Sequence, residues 1–384
     1  MSLSSAAPTP PEGPRLPAAA SPVHPSLPPV EAPSGTFILQ LFLIPLLIVS
    51  IVVVLWLMFS WMASMGRDDP AKLAESIQWG DEASWQRSYE LADLLRSPDQ
   101  KYDSLRRDAT TAAKLASFLN RDLNEPLEGT VKENQQRVMR RMYLCRALGS
   151  FSVPTALDVL LRAATQEGKP VEIEVRYSAI EAIATLADNC GPEFMDDPAL
   201  PKKVLPVLLA ASEAQESGEE IAAAPPVPEK DGKRTIYRPH AELRAVAAYA
   251  LGVVGGEEAT NRLKAMLYDT YPNARYNAAT GLARAGDAEC ERVLKEMLDP
   301  ENEVAIRDER YKDDQARKRT TVLLNGVKGT LILAERNPQA DLSRLKESLV
   351  RLSKSPLENI QIERNKVKRA ASEALERLDP SAKR

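Results

Sequence analysis

Residues 36–65 form a 30-residue run with no charged side chain, TFILQLFLIPLLIVSIVVVLWLMFSWMASM. No ordinary soluble core holds a helix this long and this uniformly apolar. At 1.5 Å per residue such a helix extends about 45 Å, against roughly 30 Å of bilayer hydrocarbon. It therefore spans with some tilt, or sets its ends among the headgroups. Trp56 and Trp61 lie near its C-terminal end, where amphipathic rings favour the interface. Pro45 removes one backbone donor, which bilayer helices tolerate. A cleavable signal peptide carries an apolar core of about 7–15 residues behind a basic start. Here Arg15 is the one arginine or lysine ahead of a much longer core. The sequence predicts an uncleaved single-pass transmembrane helix over 36–65.

This run separates two unlike parts. Residues 1–35 hold ten of the 29 prolines and few charges, a composition that cannot bury enough apolar surface to offset chain entropy. A disordered tail of polyproline character is expected there. The spacings Pro8/Pro11, Pro22/Pro25 and Pro25/Pro28 match a proline-reading motif, but any proline-rich spacer produces them. The first 70 residues carry Arg15 and Arg67 against Glu12, Glu31, Asp68 and Asp69. With 50 basic and 54 acidic residues overall, the remainder has a net charge of −2. So balanced a surface implies no nucleic-acid partner. Cys145, Cys190 and Cys290 are too widely spaced for a disulfide framework or a metal knuckle, and free thiols fit a reducing compartment.

Residues 66–78 read as a polar linker, and 79–129 as membrane-proximal helices over 82–96 and 104–122, with Trp79 and Trp85 as packing residues. From there on, apolar residues recur at helical spacing between the breakers Gly149, Pro154, Pro201, Gly255, Pro272, Pro300 and Pro338. A repeat then emerges. The stretches 243–267 and 274–298 align without a gap at a 31-residue shift, placing Arg244 on Arg275, Leu251 on Leu282 and Gly255 on Gly286. The apolar stripe of the first is Leu243, Ala247, Ala250, Leu251 and Val254, one face of a helix. It recurs as Val175, Ala179, Ala182, Ile183, Leu186 and as Val367, Ala371, Ala374, Leu375, Leu378. Looser copies are Leu144, Ala147, Leu148, Phe151, with Arg140 in the first position, and Ala316, Thr320, Leu323, Leu324, Val327. The small residue seven places along the stripe lets a neighbouring helix approach closely.

Second helices fit between these, over 154–165, 202–212, 257–268, 288–299 and 341–353. The fold class expected is all-α: an α-solenoid over 130–380, built from helix pairs that bury their apolar faces on one another. In these stretches, above all 175–188, 242–256 and 273–287, the chain resembles the HEAT-repeat proteins, particularly the short-repeat kind known from phycobilisome lyases. The resemblance implies that the helices starting with the basic residue line a concave side. An anchored solenoid predicts a membrane scaffold or adaptor that binds other proteins; the resemblance implies the alternative, a lyase-type protein acting in bilin attachment. Metal-dependent hydroxylases built on HEAT repeats carry several His-Glu pairs, and this sequence has none.

A basic residue follows the first stripe position in every copy: Arg141, Arg176, Arg244, Arg275, Arg317 and Lys368. This ladder either faces an acidic partner or braces each repeat by bonding to a carboxylate or carbonyl in the adjacent turn; the bracing role is the one adopted. The clusters Arg317-Lys318-Arg319 and Lys366 to Arg369 read as solvated helix faces, diluted by Asp313, Asp314 and Glu363. His240, the one histidine beyond the anchor, reads as part of a helix start; it has no metal-site companions and no nucleophile system forms around it. Gly252, Gly255 and Gly256 follow a helix as turn residues, not as a phosphate loop. Carboxylate pairs such as Glu257-Glu258 and Glu219-Glu220 read as solvated. No catalytic, cofactor or metal site is expected. Insertions at 213–239 and 301–315 both fall between the two helices of a pair, and so emerge along the same edge; such loops either bind partners or are tolerated excursions. Arg67 and Lys72 flank the anchor on its C-terminal side, which predicts a cytoplasmic-membrane protein with its solenoid in the cytoplasm.

Overall fold

The computed structural model describes residues 34–67, 70–77, 83–166, 172–215, 239–309, 311–360 and 363–379. Among these residues every regular element is helical. The tail over 1–33, Trp79 and the greater part of the 213–239 insertion lie outside the described residues. The chain divides into two compact units, Met1–Gly66 and Arg67–Arg384.

The described part of the first unit is one helix, α1 (Gly35–Arg67), with Pro45 inside it. Its described side chains from Leu39 to Trp61 are all exposed, and none of the stretch Leu41–Trp61 is buried within the protein. That stretch of 21 residues is long and apolar enough to cross a membrane. A soluble helix hides such a surface; here it stays exposed along its described length.

The second unit begins with α2 (Pro70–Ile77), where a linker was expected. Proline at the first helical position costs no hydrogen bond, and Leu73, Ala74 and Ile77 sit at helical spacing, with Ala74 and Ile77 buried. Then come α3 (Ser84–Arg96), the single turn α4 (Asp103–Arg106), α5 (Ala109–Asn124), α6 (Val131–Gly149), α7 (Leu157–Thr165), α8 (Ile173–Cys190), the short α9 (Pro192–Asp196) and α10 (Ala199–Ser212). After them stand α11 (Pro239–Val254), α12 (Glu257–Met266), α13 (Pro272–Ala285), α14 (Glu291–Met297), α15 (Lys312–Arg336), α16 (Ser343–Lys354) and α17 (Arg364–Leu378). The helix expected over 104–122 is split because Asp108 accepts from the Thr110 N–H (2.9 Å) and the Thr111 hydroxyl (2.5 Å), starting α5 afresh. The Thr111 hydroxyl also holds the Asp108 carboxyl below its usual range.

Seven helices pack in sequence order, α3, α6, α8, α11, α13, α15 and α17, each against the next. We call this row the spine. The intervening helices α5, α7, α10, α12, α14 and α16 each pack on the spine helix that follows. The arrangement is compatible with an α-solenoid. It also gives α3 a place that the repeat pattern did not reveal. The residues buried on α3 are Ser84, Ser88, Leu91, Ala92 and Leu95, which repeat the stripe spacing of Leu243, Ala247, Ala250, Leu251 and Val254. Two serines at the head of the stripe conceal it; Ser88 can be buried because its hydroxyl donates to the Ser84 carbonyl at 2.8 Å.

Small residues set the spacing of the spine. A Cβ on Gly252 would stand 2.5 Å from the Gly281 Cα, and one on Gly149 would stand 2.6 Å from the Ala182 Cα. The aligned glycines Gly255 and Gly286 both end their helices with positive φ, 69° and 72°, a backbone that other residues rarely adopt. The 301–315 insertion is folded: Ala305 and Ile306 are buried and α15 starts within it. Gly252→Ala must push α11 from α13. Overpacking of this kind destabilises by about 1–3 kcal/mol. Thermal unfolding followed by circular dichroism should therefore show a clear drop in Tm.

Candidate functional site

Several buried arginines of the second unit reach the turns that link the helices. A helix ends with carbonyls that lack intrahelical partners, and a buried end needs them bonded. Arg141 in α6 is fully buried. Its guanidinium donates to the carbonyls of Asp122 and Glu125 at the end of α5, to the Asp122 carboxylate at 3.3 Å and to Glu172 Oε1 at 2.8 Å. Arg140, beside it, binds the same Asp122 carboxylate, reaches the Ser84 hydroxyl at 3.1 Å and lies over the Phe118 ring. Two arginines and two carboxylates are thus buried together and balance in charge. Asp122 is the member that both arginines share, and its burial is 97%.

The device recurs along the chain. Arg176 donates to the Ala164 carbonyl at 3.2 Å, closing α7. Arg244 grips both oxygens of Asp269 at 2.8 and 3.1 Å and the Ala214 carbonyl at 2.8 Å. Arg275 takes the Asp269 carbonyl at 2.8 Å and Glu296 at 2.5 Å. One residue, Asp269, therefore ties two successive spine helices together. It can do so because its carboxylate also accepts from the Tyr271 N–H at 2.8 Å, which fixes the turn.

Two members of the expected ladder lie elsewhere. Arg317 is exposed and, among the described residues, pairs with Asp314, one turn earlier in its own helix, at 3.3 Å. Lys368 is half-buried, with no ion pair among the described residues. The role assigned to Arg317 belongs to Arg319, which is buried and bonds to the carbonyls of Pro300 and Asn302 and to Glu303. The reason is the folded insertion: the turn to be closed lies at 300–303, so the reaching residue sits two places later. Three consecutive basic residues, 317–319, hid it among apparent surface charge.

Neighbouring polar groups extend this pattern. The Tyr276 hydroxyl donates to Glu296 at 2.9 Å and accepts from Asn302, which also bonds the Glu296 carbonyl. Burial first, then Glu296, pushes the Tyr276 hydroxyl well above its ordinary pKa. Tyr271 is raised in the same way by burial and by Glu242, to which it donates. All three cysteines are buried. Burial pushes the Cys145 and Cys290 thiols up to about 12, so neither is a ready nucleophile near neutral pH. His240 is the second residue of α11 and is buried. Among the described residues, no group of three or more His, Cys, Asp or Glu side chains is placed to hold a metal ion. The geometry is that of fixed, paired charges closing turns.

Compared with known proteins, the chain matches no family model and no curated protein.

Removing Asp122 strands two buried arginines at once. Asp122→Ala should cost about 3–5 kcal/mol, the usual penalty for breaking a buried charge network. Arg317→Ala, on the exposed face, should stay within about 0.5 kcal/mol of the parent. Paired denaturant titrations of the two variants check this contrast.

Proposed function

We propose that this chain is a membrane-anchored α-solenoid of the HEAT type that serves as a scaffold or adaptor for another protein. The observation that carries the reading is the order of packing: seven spine helices, each against the next, with a second helix on each from α6 on. Such quasi-linear stacks offer long continuous surfaces, which is how repeat proteins bind their partners. The arginines that could have formed a charged strip for a partner are turned into the interhelix turns instead, which supports bracing over recognition for Arg141, Arg176, Arg244 and Arg275.

α1 supplies the anchor in this reading. Its apolar stretch is exposed along its described length, and lipid is the solvent that removes the resulting cost. Arg67 and Lys72 on its C-terminal flank favour a cytoplasmic position for the helical body.

Affinity capture of the tagged full chain from detergent-solubilised membranes is the direct test. It should recover a second protein in fixed stoichiometry, and the chain should stay with the membrane pellet after an alkaline carbonate wash. Protease added to intact cells should leave the helical body whole. Release by carbonate would remove the anchor from the proposal, and capture of the chain alone would remove the scaffold.

A further inference from the structure

The C-terminal halves of four successive spine helices line a cavity of about 550 Å³, within the range of ligand-binding clefts. Asp188 of α8, Val253 of α11 and Arg284 of α13 contribute to it, with Met195 of the short α9. One face of α15 completes the lining. Lys328, Ile332, Glu335 and Arg336 stand on it at i, i+4, i+7 and i+8. Part of this lining is apolar and open. Val253 and Ile332 are half-buried, and Met195 is 45% exposed. Gly252 and Gly281, whose contact sets the spacing of α11 and α13, add backbone without side chains.

The rest of the lining is charged. Arg284, Lys328 and Arg336 face Asp188 and Glu335, three cations against two carboxylates, an excess of one positive charge. Among the described residues none of these five forms an ion pair, so the carboxylates do not neutralise the cations by contact. The arginines that brace the turns differ, since each of them is bonded to a carbonyl or a carboxylate. Arg284 lies over the Tyr249 ring at 5.5 Å, which fixes its guanidinium beside the cavity. A helix dipole favours cations in the last turn, where Arg284 and Arg336 stand. Lys328 stands two turns earlier, and the dipole does not account for it.

Resting on the scaffold reading, we propose that this cavity receives a short acidic segment of a partner protein. One apolar residue of that segment sits against Met195, Val253 and Ile332, and its flanking carboxylates meet Arg284, Lys328 and Arg336. An apolar anchor among acids matches both kinds of lining. A carboxylate also fits the fork of a guanidinium through two parallel bonds. Other occupants match only in part. A lone small anion would satisfy the cations and leave the apolar lining in water. A basic segment would bring its charge against three cations.

The test uses the full chain in uncharged detergent micelles and fluorescein-labelled peptides followed by anisotropy, with empty micelles as the blank. The peptide Ser-Asp-Glu-Leu-Glu-Asp-Ser should bind and should weaken as salt rises. It should bind at least about tenfold better than the same peptide with Gly for Leu, or with Lys for every acid. The double variant Lys328→Ala with Arg336→Ala alters two exposed positions, so its circular dichroism melt should match the parent while binding falls at least about tenfold. Glu335→Lys, also exposed, adds a fourth cation and should tighten binding about threefold or more. Loss of structure cannot produce that gain, so this variant decides alone if the double variant unfolds. Equal binding of the three peptides, full binding by a double variant that melts like the parent, or unchanged affinity in Glu335→Lys overturns the assignment. So does displacement of the peptide by an equal concentration of inorganic phosphate, which marks a site for small anions. Each of these results leaves the scaffold reading intact, since that reading fails only if membrane capture returns the chain alone.

Discussion

The structure depends on how helix ends are closed. Every helix leaves carbonyls without intrahelical donors, and in a stack of helix pairs many of those ends are buried between neighbours. Here an arginine from the following spine helix reaches back and bonds them. Arg141 closes α5, Arg176 closes α7, Arg244 takes the Ala214 carbonyl after α10, and Arg275 and Arg319 take the turns after α12 and α14. A guanidinium suits the task because its planar fork can hold a carbonyl and a carboxylate at once, as Arg244 does with Ala214 and Asp269. Lysine, with a single ammonium on a mobile stem, cannot fix two acceptors in one plane. The weakest analogue of the device is Lys368, which makes no such bond among the described residues.

A second constraint acts between successive spine helices. Gly252 on Gly281 and Gly149 on Ala182 bring backbones to within a methyl group of each other. Close approach shortens the reach that each arginine must cover, so the two features reinforce one another.

Much of this was legible in the chain alone. A charge-free run of 30 residues announces α1, and a gapless alignment of two stretches marks α11 to α14 and predicts that Gly255 and Gly286 share a role. Both indeed carry positive φ. Other features were not legible, for physical reasons. The stripe of α3 begins with serines whose hydrogen bonds form only on folding, Ser88 to the Ser84 carbonyl and the Ser84 hydroxyl from Arg140 of α6. A short apolar face identifies α2 only once α3 is there to receive it. Arg140 looked like a defect in a stripe, whereas it is half of a buried pair on Asp122, a residue 18 positions away. Arg319 was masked by its basic neighbours, because the turn it serves is displaced by the folded 301–306 segment. In each case the missing fact was the identity of a distant partner, which periodicity does not encode.

Native-state hydrogen exchange on Arg244→Ala tests the bracing account most directly. Arg244 ties α11 both to the end of α10, through Ala214, and to the α12–α13 turn, through Asp269. If the arginines couple successive pairs, the substitution should lower amide protection in α10 to α13 together, while α3 and α5 keep theirs. Protection unchanged throughout, or lost only at the turn residues next to Asp269, would contradict the claim that these side chains hold the stack together.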